Sequence, residues 1–177
     1  MKNLRLAVLA VLAALIFAVP AHAQVLQGNT ASVAMSFTQT ESLIVSTDVS
    51  SVTFNAAGVA SSPINVTTTW NATAARTQLE VYAYVPSSNA FTGAHGNTIP
   101  AADLQQTSPD SSLHTCNGQL TILNGSTLNN ACGWIFDGSL PSAAGTQTGQ
   151  VNLTILNVAS IAPDSFSGTY LISAQIL

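Results

Sequence analysis

The chain has 177 residues, of which 47% are hydrophobic and only 6% are charged, whereas charged residues make up about 25% of an ordinary soluble domain. Only three Lys or Arg residues are present. Binding to nucleic acid phosphates, or to an anionic membrane surface, requires clusters of such cations. We therefore exclude nucleic acid and a polybasic membrane contact as partners.

Residues 1–23 have the three-part pattern of a secretory signal peptide. A basic start, an apolar run over residues 6–19 and a small-residue ending predict cleavage before Gln24. Cleavage leaves Arg76 as the only Lys or Arg beside seven Asp and Glu residues. No later apolar run approaches about 18 residues, so no membrane insertion is expected after cleavage. We expect an exported protein in the periplasm, on the outer cell surface or in the extracellular medium.

Residues 24–177 suit a single domain, because no linker-like change of composition divides them. Apolar and polar residues alternate with a period of two, and β-branched residues are abundant, which predicts β-strands. In chain order, the predicted strands lie at 33–37, 43–45, 52–54, 64–70, 77–85, 120–123, 134–136, 151–155 and 168–177.

This series of short strands predicts an all-β fold, a two-sheet antiparallel sandwich of Ig-like or pilin-like form. A small closed antiparallel barrel is the alternative, since the number of strands alone does not decide closure. Residues 87–117 are predicted to form a long connection, which is either functional or only a cover for one end of the sheets. One helical turn at 101–106 is the single helix candidate after the signal peptide.

The strand predicted at 77–85 separates its side chains most clearly. Tyr82 and Tyr84 share one face of it, because side chains two positions apart point the same way. If exposed, their rings form a flat platform that suits stacking on sugars; if covered, they are core tyrosines. The sequence leaves both possibilities open. The opposite face, expected to lie in the core, carries Leu79, Val81, Ala83 and Val85.

The two cysteines, Cys116 and Cys132, are predicted to form one intrachain disulfide. An even number of cysteines in an exported chain is typical of such a bond. Two free thiols or an intermolecular bridge are the alternatives.

No pattern in the sequence predicts catalysis, a metal site or a cofactor. The Gly-x-Ser-x-Gly motif of esterases is missing, and most acidic residues adjoin the Pro, Gly or Ser residues of turns. His95, Asp103, Asp110 and His114 fall within residues 87–117, but their spacing matches no metal-ligand motif. We therefore expect that the protein is not an enzyme.

Five short blocks carry a resemblance to a known group of proteins. They are Thr69-Trp70-Asn71, Arg76-Thr77, Val81-Tyr82-Ala83-Tyr84, Gly168-Thr169-Tyr170 and Ala174-Gln175. With these blocks the chain resembles uncharacterised exported bacterial proteins of Ig-like or pilin-like form, which bring no activity with them. The Gly-Thr-Tyr block is also similar to fimbrial subunits, in which subunits exchange an N-terminal donor strand. Fimbrial subunits carry an aromatic penultimate residue, and this chain departs from them with Ile176.

We expect a secreted, non-catalytic structural or surface-interaction protein, such as a filament or matrix subunit. Its partners would be copies of itself or other surface proteins. Residues 24–37, in which Val33, Met35 and Phe37 alternate with small residues, can complete their own sheet or pair with the edge of a neighbouring copy. The alternative function is a carbohydrate-binding module that uses Tyr82 and Tyr84 and has a glycan as its partner.

Overall fold

The computed structural model describes residues 34–37, 40–108 and 111–177. The chain divides into two units, Met1–Phe37 and Thr38–Leu177. Residues 34–37 are exposed and belong to no strand, so the strand predicted at 33–37 is not seen in its described part. The predicted signal peptide lies outside the described residues and stays a prediction. No helix among the described residues is long and apolar enough to cross a membrane.

The second unit is an all-β antiparallel structure whose sheets do not close into a barrel, which confirms the predicted sandwich. Its first sheet has five strands. In their order across the sheet they are β1 (Ser42–Thr47), β2 (Ile64–Asn71), β10 (Ala144–Ile155), β6 (Leu104–Ser108) and β7 (Ser111–Thr115).

The second sheet has four strands and the third has three. In order, the second sheet contains β12 (Leu171–Ile176), β3 (Gln78–Tyr84), β9 (Thr127–Ser139) and β8 (Gly118–Thr121). The small third sheet contains β11 (Phe166–Ser167), β4 (Asn89–Gly93) and β5 (Thr98–Pro100).

The core lies between the first two sheets and follows the alternation of the sequence. In β3 and at the residue that follows it, the residues predicted to face the core are at most 1% exposed, which confirms the assignment of faces: Leu79, Val81, Ala83 and Val85. In β2 every second residue is buried as well, while the residues between them carry polar side chains on the outer face.

Trp70 fixes the pairing of β2 with β10. Its indole N–H donates to the carbonyl oxygen of Ser142 at 3.0 Å. Gly145 lies opposite it in the register, and a Cβ atom there would come within 2.6 Å of the indole ring. A slip of one residue would therefore drive a side chain into the ring and turn the core face of β10 toward solvent.

The segment 87–117, predicted to be a long connection, contains strands β4 to β7 and one 3-10 turn, Ala101–Asp103. The helical turn predicted at 101–106 is therefore present only in its first half, since Leu104 already begins β6. The strands in this segment have three to five residues. Strands so short contain too few alternations to be recognised by their period.

The strand predicted at 52–54 is not formed. Pairing along β1 ends near Asp48, whose carboxylate accepts hydrogen bonds from the backbone N–H of Asn65 at 2.9 Å and from its side-chain amide at 2.6 Å. Beyond that point Phe54 makes only an isolated bridge with Ala60. The side-chain oxygen of Asn55 accepts hydrogen bonds from two backbone N–H groups in the turn between Phe54 and Ala60. These bonds close a local loop where a strand was predicted.

A buried polar network connects the two main sheets. Gln106 and Ser108 point inward from β6 and donate to the main-chain oxygen of Trp134 in β9, at 3.3 and 3.0 Å. The hydroxyl of Tyr170, just before β12, donates to the side-chain oxygen of Gln106. Burial raises the pKa of Tyr170 well above its usual range, so this hydroxyl keeps its proton.

The predicted disulfide between Cys116 and Cys132 is present. Cys116 follows β7 of the first sheet and Cys132 lies in β9 of the second, and both residues are fully buried. The bond therefore ties the two sheets together at one end of the core and encloses β8.

We expect replacement of both cysteines by alanine to lower the free energy of unfolding by about 3 kcal/mol, because the reduced chain gains loop entropy when it unfolds. Urea denaturation followed by circular dichroism measures the change. Reduction of the unaltered protein is the matched control and should give a loss of similar size. An unchanged unfolding midpoint in both experiments would contradict the expected contribution.

Candidate functional site

A cavity of about 230 Å³ lies at one edge of the sandwich, where residues 47–54 face residues 168–172, and its lining is more apolar than polar. We call it the edge slot. Most of its wall residues are partly exposed, so the slot is accessible from solvent. Its apolar walls are formed by Val49, Val52, Phe54, Phe91, Tyr170 and Ile172.

The slot exists because two edge strands border it. β1 ends the first sheet and β12 ends the second, so each has one side without a neighbouring strand in its sheet. Gly168 places the chain before β12 directly against β4, since a Cβ atom there would lie 2.0 Å from the Ala90 carbonyl oxygen. Phe54 packs edge-on against Phe91 with ring centroids 5.6 Å apart. A second cavity of about 480 Å³ shares these two rings and continues toward Phe166.

A second candidate site is the outer face of the second sheet, which carries three aromatic rings. Tyr82, at 4% exposure, is a covered residue and offers no platform of its own. Tyr84 and Trp134 flank it and are both half-buried. The ring centroid of Tyr82 lies 6.4 Å from that of Tyr84 and 5.9 Å from that of Trp134, the latter in an edge-on arrangement.

The turn between β8 and β9 lies over this outer face. The backbone N–H of Leu123 donates to the carboxylate of Glu80 at 2.8 Å, and that of Asn124 donates to the Gln175 side chain at 3.3 Å. Gln175 in turn donates to the hydroxyl of Tyr82 at 3.2 Å. Strand β9 brings the β8–β9 turn to this face, because the first part of β9 pairs with β8 and its later part pairs with β3.

Glu80 is a buried acid, with 7% exposure. Burial raises the pKa of Glu80, the hydrogen bond from Leu123 lowers it, and the nearby charge of Asp137 raises it again, with a net result above the ordinary value. The ionised form therefore destabilises the folded state. The stability that depends on Glu80 is complete below its usual pKa of 4.5 and decreases as the pH rises through the raised value in the folded protein.

We expect the variant Glu80→Gln to be at least as stable as the unaltered protein at pH 7, and to lose less stability as the pH rises above about 4.5. The amide oxygen still accepts the Leu123 N–H but carries no charge. Melting temperatures measured between pH 4 and pH 8 check this. Asp137→Asn is the companion variant, and it should reproduce part of the effect. A steeper pH profile for Glu80→Gln would show that the sign is wrong.

Other charged residues fix loops. Arg76 binds Glu41 with an N–O distance of 3.2 Å, and this bond, with the Thr73 N–H, lowers the pKa of Glu41 to about 2. The Asp164 side chain has no solvent exposure. Its carboxylate accepts hydrogen bonds from the ring of His95 at 2.9 Å, from the backbone N–H of His95 and from the side-chain amide of Asn97. Burial raises the pKa of Asp164, but these bonds outweigh it and bring the pKa to about 2.

The residues that the sequence placed within 87–117 do not converge. His95 binds Asp164, whereas Asp103 accepts a hydrogen bond from Asn157 at 2.8 Å. The ring of His114 lies beside Gly133, and Asp110 falls outside the described residues. In the part of the chain that the structure describes, no three His, Cys, Asp or Glu residues form a group able to hold a metal ion.

Comparison with known proteins found no matching protein-family model and no matching curated protein. The resemblance to Ig-like and pilin-like exported proteins accordingly stays a prediction. The edge slot and the aromatic outer face are the two features of the described residues that bear on function.

Proposed function

We propose that the protein is an exported, non-catalytic structural subunit that assembles with copies of itself by strand addition. In this assembly the alternating segment 33–37 of one copy fills the edge slot of the next. The edge slot is the observation that carries the proposal. The partner is a second copy of the chain, and the product is a filament or a matrix.

The chemistry of the slot suits an extended apolar segment. Its apolar walls combine Val49, Val52 and Ile172 with the aromatic rings of Phe54, Phe91 and Tyr170. A strand inserted here can form main-chain hydrogen bonds with a free sheet edge while its alternate side chains enter the slot. The directional part of the interaction comes from the backbone, and the apolar residues supply most of the free energy.

The segment 33–37 has the complementary character. Met35 is 92% exposed and Phe37 is 87% exposed, more than any other large hydrophobic residue in the described parts of the chain. Full burial of one such side chain contributes about 1.5–3 kcal/mol. Alternation at Val33, Met35 and Phe37 would place all three on one face of a strand.

Export is supported by the disulfide and by the signal-like residues 1–23. Disulfides persist in oxidising compartments and are rare in the cytosol. The Cys116–Cys132 bond is buried within the core, so its formation is part of the folded state rather than an exposed switch.

We expect the double variant Met35→Asp, Phe37→Asp to stop assembly, because two carboxylates would have to enter an apolar slot. Size-exclusion chromatography and negative-stain microscopy at increasing concentration measure the change. The unaltered protein should form head-to-tail oligomers and the variant should remain a monomer with an unchanged melting temperature. Val59→Thr is the matched control, since it alters another exposed apolar residue (45% exposed) and should assemble normally.

A peptide of residues 24–37 provides the reciprocal experiment. It should raise the melting temperature of a chain that lacks these residues, and the same peptide with both aspartates should not. Unaltered protein that stays monomeric at millimolar concentration would overturn the proposal.

A further inference from the structure

We propose that Tyr84 and Trp134 form a binding site for a neutral glycan on the outer face of the second sheet. This site goes beyond assembly and is formed by β3 and β9 rather than by the edge strands that border the slot. Tyr82 acts as its buried support, and Asp137 provides a hydrogen-bonding group at its border.

The register of the second sheet places these groups side by side. Trp134 lies opposite Tyr82, and Asp137 lies opposite Glu80. Tyr84 follows Tyr82 on the same face of β3, two residues further along. The outer face therefore presents an aromatic surface next to the exposed residue Asp137, which combines ring stacking with a hydrogen-bond acceptor for sugar hydroxyls.

Tyr84 and Trp134 are amphipathic and keep their polar atoms available. Both side chains are half-buried, and within the described residues neither the Tyr84 hydroxyl nor the Trp134 indole N–H has a hydrogen-bond partner. A ring that is packed on one side, with a free polar atom at its rim, can stack on the C–H face of a sugar and bind a hydroxyl at once.

The site is held in place before any ligand arrives. Tyr82 is buried, its ring packs edge-on against Trp134, and its hydroxyl accepts a hydrogen bond from Gln175. The β8–β9 turn fixes the other side of the same network through Glu80. Side chains that are already ordered lose less conformational entropy on binding.

The charges select a neutral ligand. Beyond residue 23 the only Lys or Arg is Arg76, and it is bound to Glu41. Asp137 is exposed at the border of the aromatic surface, so uronic or sulfated glycans would meet an acid and no cation there. The ligands that fit are therefore uncharged pyranose chains, such as β-1,4-linked glucans or their N-acetylated counterparts.

Affinity electrophoresis in native gels tests the site, with hydroxyethyl cellulose and glycol chitin as two neutral probes and alginate as an anionic one. We expect the unaltered protein to be retarded by at least one neutral polymer and not by alginate. Tyr84→Ala and Trp134→Ala should each weaken the retardation at least tenfold. The conservative variants Tyr84→Phe and Trp134→Phe keep a stacking ring and should retain most of it.

Fluorescence tests whether the polymer binds at Trp134, and circular dichroism tests whether the alanine variants are folded. Trp70 is only 3% exposed, so acrylamide should quench mainly the half-buried Trp134. The neutral polymer that retards the protein should reduce this quenching. A chain that lacks residues 24–37 should bind the polymer as the unaltered protein does, which distinguishes this site from the edge slot. No retardation by either neutral polymer, or full retardation of folded Tyr84→Ala and Trp134→Ala, would overturn the proposal.

Discussion

The main-chain oxygen of Trp134 accepts hydrogen bonds from two buried side chains of the opposite sheet. The arrangement of the whole sandwich depends on this contact. Gln106 and Ser108 reach it across the core, and Tyr170 completes the network by donating to Gln106. A buried amide without such partners would cost about 1–3 kcal/mol. The network therefore specifies one relative position of β6, β9 and the start of β12, whereas apolar packing alone would tolerate several.

This contact also relates the two candidate sites. Trp134 contributes its carbonyl to the interior and its indole to the outer face, and Tyr170 contributes its hydroxyl to the network and its ring to the edge slot. The pairing of β3 with β9 shifts in register between Val81 and Tyr82, so the strand is irregular beside Trp134. Such a bulge is the kind of feature that redirects a side chain next to a site.

The sequence predicted those parts of the fold in which one strand contains several alternations. The faces of 77–85 and 64–70 were predictable because four residues in each repeat the same period. The strands within 87–117 were not, since β5 has three residues and Gln106, a polar residue, occupies a core position in β6. No local pattern shows that a glutamine will be satisfied by a carbonyl 28 residues away.

The candidate sites show the same division. Tyr82 and Tyr84 were predicted to share a face. The burial of Tyr82, however, depends on the turn that contains Leu123, which lies more than 40 residues away and binds Glu80. Trp134 was predicted only as a strand residue, and its place beside Tyr82 follows from a pairing between distant strands. The edge slot follows from strand order, and strand order is a property of the whole chain rather than of any segment.

The buried disulfide has a mechanical consequence. In an assembly under tension, force travels along the covalent chain, and the bond between Cys116 and Cys132 bypasses the 16-residue separation between them. The enclosed hairpin cannot be pulled straight while the bond is intact. The bond therefore prevents roughly 50 Å of chain extension per molecule. Because both cysteines are buried in the folded protein, this extra length would become available only after the core has opened and the bond has been reduced.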